Sequence, residues 1–208
     1  MTSIETLEGS DTPYAAYIPV NVLTKWTFES SPIRKWVEGH LTGRVLNACS
    51  GKTHLNHDGE VLRNDTNSER EAHTHTDVAT LAAEYEPESF DCIVFDPPWT
   101  LYQSNLRYDG HHVHKDGVDI DLSRLPLTAP EGKEQLGHAR LAKDGFNYLL
   151  KPGGVVIQIT YHGTCMPARL HYEQLERVIF DPIGENKAVI GSADRKSNSS
   201  LEQYTKDG

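Results

Sequence analysis

Apolar positions along the chain fall into short runs of two different periods, separated by polar turns. Residues 44–49 (Arg-Val-Leu-Asn-Ala-Cys) form an apolar run ending at Ser50-Gly51, the pattern of a buried strand feeding a tight loop. Residues 60–65 predict a second short strand ending in an acid. Residues 90–96 (Phe-Asp-Cys-Ile-Val-Phe-Asp) predict the clearest buried strand, stopped by Pro97-Pro98. Residues 155–160 predict another strand after the turn Lys151-Pro152-Gly153-Gly154. Two more, 175–179 and 187–190, are joined closely through Asp181-Pro182-Ile183-Gly184, which predicts an antiparallel hairpin. Helical spacing lies between the strands. Ile33, Trp36 and Val37 follow i, i+3, i+4, with Ser30 and Ser31 ahead of a first-turn Pro32. Val78, Leu81, Ala82 and Tyr85 predict a helix over 77–85, and a third helix is predicted over 133–150. Elsewhere in 14–40 the apolar spacing is mixed.

Strands alternating with helices and closing in a hairpin indicate an α/β fold with a mostly parallel sheet. Such sheets bind ligands beyond the carboxyl ends of their strands, at the switch point, and the chemically interesting residues here mostly fall at strand ends. The 208 residues suffice for one domain with a proper core. The expected division is a flexible tail over 1–13, one domain over 14–195 and a second tail over 196–208. Residues 100–133 are polar and rich in Gly, His and Asp. A loop of that length inside a domain is functional or disordered.

Thirty acids against 20 bases give a formal charge of −10, which excludes binding nucleic acid mainly by bulk positive charge but leaves room for a local basic patch. The three cysteines, Cys49, Cys92 and Cys165, are scattered and odd in number, so no disulfide framework is expected and a reducing, cytoplasmic setting is. No apolar stretch approaches the ~18 residues of a membrane span, so no membrane partner is expected.

The strongest chemical signal is Asp96-Pro97-Pro98-Trp99 after an apolar strand. Two prolines fix φ and remove two N–H donors. The backbone there presents carbonyl oxygens without competing donors, beside a carboxylate and a flat aromatic wall. Such an acceptor-only pocket suits a planar group bearing –NH₂, such as a nucleobase edge stacked on Trp99. Residues 90–99 resemble motif IV, the (D/N/S)-P-P-(Y/F/W) signature, of the class I S-adenosylmethionine-dependent amino-methyltransferases. The resemblance covers residues 20–195. It implies a Rossmann-like fold with a mostly parallel seven-stranded sheet ending in an antiparallel hairpin and helices on both faces.

The resemblance also implies a site. Asp96, Pro97, Pro98 and Trp99 would be catalytic, with S-adenosyl-L-methionine as the cofactor. Residues 47–51 (Asn47, Ala48, Cys49, Ser50, Gly51) stand where the family has its glycine-rich cofactor loop, although only Gly51 matches a family glycine. Asp65 stands where an acid holds the ribose hydroxyls, with Asn64 a neighbouring substitute. Asp77 resembles the acid that accepts from the cofactor's adenine amine. Lys25, in Lys25-Trp26-Thr27, stands in for a cofactor segment before the first strand. Tyr102, Arg107 and Tyr108, with Trp99, would contact the substrate. The substrate implied is an exocyclic amine of a nucleobase, adenine N6 or cytosine N4, in DNA. RNA, a protein amide or a small amine is the alternative substrate, and an inactive methyltransferase-fold binding protein is the non-enzymatic alternative.

Two other readings use overlapping residues. Ser50-Gly51-Lys52-Thr53 ends like a phosphate-binding loop, but the glycine needed five places before Gly51 is Leu46. His111, His112 and His114, with Asp109 and Asp116, and the pair His73 and His75, lack zinc-site spacing, so no metal site is expected.

Overall fold

The computed structural model describes residues 14–21, 23–24, 26–98, 138–161, 166–184 and 187–197. Seven strands form one sheet: β1 (Tyr14–Val20), β2 (Val45–Asn47), β3 (Val61–Arg63), β4 (Phe90–Phe95), β5 (Leu150–Thr160), β6 (Tyr172–Pro182) and β7 (Val189–Lys196). Their spatial order is β1-β6-β7-β5-β4-β2-β3. Every neighbouring pair is parallel except β5 with β7 and β6 with β7. This is the expected mostly parallel α/β sheet with an antiparallel hairpin.

Helices cover both faces. On one face α1 (Ser31–Glu38), with Pro32 in its first turn, buries Ile33 and Val37 against Val45, Cys92, Val94, Ile157 and Phe180. On the other, α2 (His138–Leu149) buries Ala142, Phe146 and Leu149 against Leu46, Ile93, Phe95 and Val156. The alternation along β2 and β4 sends successive side chains to opposite cores, so these central strands read as continuous apolar runs. Burial in this strand pushes the Cys92 thiol up to about 12.

Several elements differ from expectation. Residues 77–85 do not form an α-helix; Leu81–Glu84 is a single 3₁₀ turn. The bonds there run i to i−3, with Thr80 N–H on Asp77 O and Ala83 N–H on Thr80 O, and Asp77 Oδ1 takes the Ala79 N–H at 2.8 Å. That side-chain bond competes with helix propagation, and Pro87 closes the segment. The turn at 151–154 is absorbed into β5, where one β4 residue faces four of β5 between the pairs Phe90↔Leu150 and Cys92↔Val155. β6 and β7 are longer than 175–179 and 187–190, and β7 runs on to Lys196. Lys196 is buried and donates to the carbonyls of Asn147 and Leu150 at 2.8 and 2.7 Å, satisfying the end of α2. β1 was not expected at all. It is an edge strand carrying Pro19, and it pairs with β6 from Tyr14↔Glu176 to Val20↔Pro182.

On the α2 face of β5 and β7, Asp194 accepts from Gln158 Nε2 at 3.1 Å, Ser192 Oγ at 3.2 Å and the Met166 N–H at 3.3 Å. Burial nevertheless holds its carboxyl above the ordinary range, against the opposing pull of those donors. A raised folded-state value means that the folded protein takes up this proton before the unfolded chain does. Asp194 therefore adds stability as the pH falls from its folded value towards the ordinary carboxyl value, and this gain is lost as the pH rises again. Urea titrations of the native protein and Asp194→Asn across that window should show the stability difference moving in favour of the native protein as the pH falls. A pH-independent difference would show that Asp194 does not titrate in this way.

Candidate active site

The chain passes from β2 out to β3 and then back across β2 to β4. The crevice at the carboxyl ends of β2 and β4 is therefore the topological switch point of the sheet, where open α/β sheets receive ligands. The ladder between these strands continues past β2 through Ala48 N–H on Val94 O at 2.9 Å. The chain then turns through Ala48-Cys49. Ser50 N–H donates to Asn64 O at 2.9 Å, and Gly51 adopts φ +55°. A side chain is strained in that conformation. A Cβ on Gly51 would also lie 3.2 Å from the ring of Trp26, so the glycine lets the indole pack against the turn. Lys52 Nζ and the Arg70 guanidinium lie 5.5 and 5.0 Å from the same ring's centroid.

Asp65 holds this turn in place. Its Oδ2 accepts the Gly51 N–H and its Oδ1 the Asn67 N–H, both at 2.9 Å, and the residue is 4% exposed. Each carboxylate oxygen keeps a second acceptor position. Asn64, by contrast, is fully used. Its Nδ2 donates to Ala48 O and Thr76 O, each at 3.0 Å, while its Oδ1 accepts from Thr74 Oγ1 at 2.9 Å and Thr76 N–H at 3.1 Å. It is a clamp between the turn and the 74–76 segment, not a substitute for Asp65.

Cys49 lies in the same turn. Burial, and then the charges of Asp65, Asp96 and Asp77, push its thiol well above the ordinary range. The thiol stays neutral. Asp77 and Asp96 are half-buried, Pro97 is buried and Pro98 is half-buried. Ser50 Oγ is buried and has no hydrogen-bond partner. Asn64 ties Ala48 to Thr76, next to Asp77, and the Ala48–Val94 bond sets Asp96 just beyond β4, so Ala48, Cys49, Ser50, Gly51, Asp65, Asp77 and Asp96 lie at the same end of the sheet. Asn47 belongs elsewhere: its side chain lines a cavity with Leu55, Val61 and Arg63. Lys25, Trp99, Tyr102, Arg107 and Tyr108 lie outside the described residues, as does the His111, His112 and His114 cluster.

The other readings fare differently. No helix follows Lys52-Thr53, so the helix N-terminus required by a phosphate loop is missing among the described residues. Lys52 instead pairs with Glu29 at 2.7 Å. His73 Nδ1 accepts the Arg63 N–H at 3.0 Å, and His75 Nδ1 lies 2.9 Å from Asp65 O. No group of three metal-binding side chains converges among the described residues. No described helix is long and apolar enough to cross a membrane. Reasoning from sequence missed Arg63 and the clamp role of Asn64, because a polar residue on a short strand carries no mark of the face it serves.

No family profile matches the chain, and no curated protein matches it in sequence. Some solved structures resemble it in part. A candidate methylase of Haemophilus influenzae is 11% identical, with 80% of this chain and 86% of that one aligned and a TM-score of 0.44. An rRNA methylase from Streptococcus thermophilus is 10% identical over 78% of this chain and 93% of that one, with a TM-score of 0.40. The N-methyltransferase NodS from Bradyrhizobium japonicum, in complex with S-adenosyl-L-homocysteine, is 13% identical over 74% and 76% of the two chains, with a TM-score of 0.37. At these identities and TM-scores the likeness is partial.

Proposed function

We propose that this chain is an S-adenosylmethionine-dependent methyltransferase. It would act on an exocyclic amino group of a nucleobase, adenine N6 in DNA first and cytosine N4 second. The observation that carries this reading is the placing of Asp65, Asp77 and the Asp96-Pro97-Pro98 strand end beside the 48–51 turn at the switch point. Acidic side chains about the turn favour a cationic ligand, and a sulfonium is one. Asp65 would take the ribose hydroxyls on its remaining acceptor positions. Asp77 would take the adenine amine, and the 48–51 backbone the amino-acid end.

The cofactor, when bound, supplies a methyl group already activated by positive sulfur. The chain's task is then to hold and orient the nucleophile, a matter of proximity more than of acid–base chemistry. The lone pair of an aromatic amine is delocalised into its ring. Acceptors that hold both N–H groups favour pyramidal nitrogen and free that pair. The Asp96 carboxylate and the Pro97 carbonyl are the two acceptors, and neither Pro97 nor Pro98 offers an N–H to compete. A base in duplex DNA must first leave the stack, and Trp99 is the surface proposed to receive it. The enzyme would work in the cytoplasm.

The test is expression of the protein and of Asp96→Ala in a host lacking DNA methyltransferases, followed by nucleoside mass spectrometry of host DNA and RNA. N6-methyladenine or N4-methylcytosine in DNA with the native protein only is the expected result. A methylated amine in RNA alone would reassign the substrate. Loss of any S-adenosylhomocysteine binding in calorimetry would refute the cofactor assignment.

A further inference from the structure

At the β1–β6 edge the two faces of the sheet differ. On one, α1 and its neighbours pack over Val178, Phe180 and Val189. Glu176 points the same way, accepting from Trp36 Nε1 at 3.0 Å and lying 2.9 Å from His40 Nε2. Side chains alternate along a strand, so Arg177, Ile179 and Asp181 of β6 face the other way. Tyr17 of β1 joins them, since it is level with Ile179 and its hydroxyl donates to Asp181. On that face the core beneath α2 is built on β2, β4 and β5 and does not extend to Ile179 or Tyr17. The connection from β5 to β6 holds only the 3₁₀ turn Ala168–Leu170 among the described residues. Tyr17 is therefore 63% exposed, Ile179 40% and Ile183, just past β6, 67%. Ile183 N–H donates to Val20 O at 3.1 Å, which keeps it beside β1. Among the described residues these three are the exposed large apolar side chains. One such residue alone is ordinary, but a group gathered at one edge marks an interaction surface.

The charges of this surface identify its partner. Arg177 and Asp181 stand two residues before and two after Ile179, on the same face of β6. A two-fold axis passing over Ile179, at right angles to the strand, sets each Arg177 against the partner's Asp181 and each isoleucine against the other. Such self-complementarity is what a contact between identical surfaces requires. One base and one acid also leave the strand face neutral in a chain of formal charge −10, so two copies meet there without the repulsion between their acidic surfaces at large. We propose that this face binds a second copy of the chain, in a two-fold dimer whose β6 strands run antiparallel across the interface. β1 and β6 lie at the opposite edge of the sheet from β2 and β3, so the dimer does not rest on the catalytic reading.

The test is sedimentation velocity of the full chain from about 1 to about 200 μM, a range that covers ordinary dimer affinities. A monomer–dimer equilibrium is expected. Ile179→Asp puts two carboxylates face to face at the axis and should weaken the dimer by about tenfold or more. Arg177→Asp sets an acid against the partner's Asp181 twice and should weaken it similarly. The double variant Arg177→Asp with Asp181→Arg restores opposite charges and should recover most of the native affinity, which a merely structural role of either residue would not produce. Circular dichroism and thermal unfolding establish that each variant is folded, and Ile183→Asp, outside the strand, takes the place of Ile179→Asp if that variant is not. A native chain that stays monomeric at the highest concentration overturns the proposal. So does an unchanged dimer in the folded isoleucine variant, or a double variant no tighter than Arg177→Asp.

Discussion

Asp96→Ala is expected to lower the rate of methyl transfer by about two to three orders of magnitude, the usual effect of deleting one preorganised polar group facing the reacting centre. The residue follows the last position of β4, whose side chains from Cys92 to Phe95 are buried, so the sheet itself does not depend on it. Removing its carboxylate leaves the Pro97 carbonyl as a single acceptor, which can hold one amine N–H but not both. The nitrogen then stays planar and its lone pair stays in the ring. Cofactor affinity should change little, because Asp65 and Asp77 keep the turn negative. Asp96→Asn should fall between the two, since its amide keeps one acceptor oxygen but turns N–H donors towards the substrate amine. Single-turnover rates with labelled S-adenosylmethionine, set beside calorimetric affinities for S-adenosylhomocysteine, separate the effects. A variant with native single-turnover rates would remove Asp96 from the reaction.

The second large effect is expected at the opposite side of the same crevice. Asp65→Ala strands the N–H groups of Gly51 and Asn67, each of which now ends on a carboxylate oxygen. A stranded buried donor costs about 1–3 kcal/mol. The turn at 48–51 would loosen and the ribose acceptors would be lost together. Cofactor affinity should fall by about 10- to 100-fold, on the same scale of energies. The maximal rate at saturating cofactor should be preserved far better than in Asp96→Ala. Asp65→Asn should recover part of the loss, because its oxygen can still accept one N–H. Unchanged affinity for S-adenosylhomocysteine in folded Asp65→Ala would take Asp65 out of the site.

Much of this arrangement could be read from the amino acids because the central strands are buried on both faces. Continuous apolar runs such as 90–96 have few other uses, and a proline pair marks where one must stop. The edge was harder. β1 mixes alanine, tyrosine and Pro19, carries Tyr17 at 63% exposure, and is defined by its pairing with residues far along the chain. Local pattern holds no trace of that partner. Residues 77–85 have helical spacing, but a side-chain bond from Asp77 and the nearby Pro87 divert the backbone, so periodicity alone misled. Around the turn, the positions of Asp65 and Asp96 could be read because acids just past strands are conspicuous, whereas Asp77 follows no strand directly. Asn64 could not be read, since its value lies in four simultaneous bonds to segments on either side of it. Asn47 was placed with the cofactor turn by its position in the chain, whereas its side chain lines the cavity beneath.

The first strand also constrains the order in which the molecule can be assembled. β1 leaves the ribosome before the other described strands, yet among the described residues Tyr14 to Val20 pair with residues from Glu176 to Pro182. At an elongation speed of about 5–20 residues per second, β1 must wait on the order of ten seconds for its partner. Throughout that interval it is an unpaired strand edge, open to pairing with other chains. Pro19, within the segment, cannot donate to such a ladder. This edge strand is thus made long before the strand it docks on. A chain truncated before β6 would leave it with no place to go.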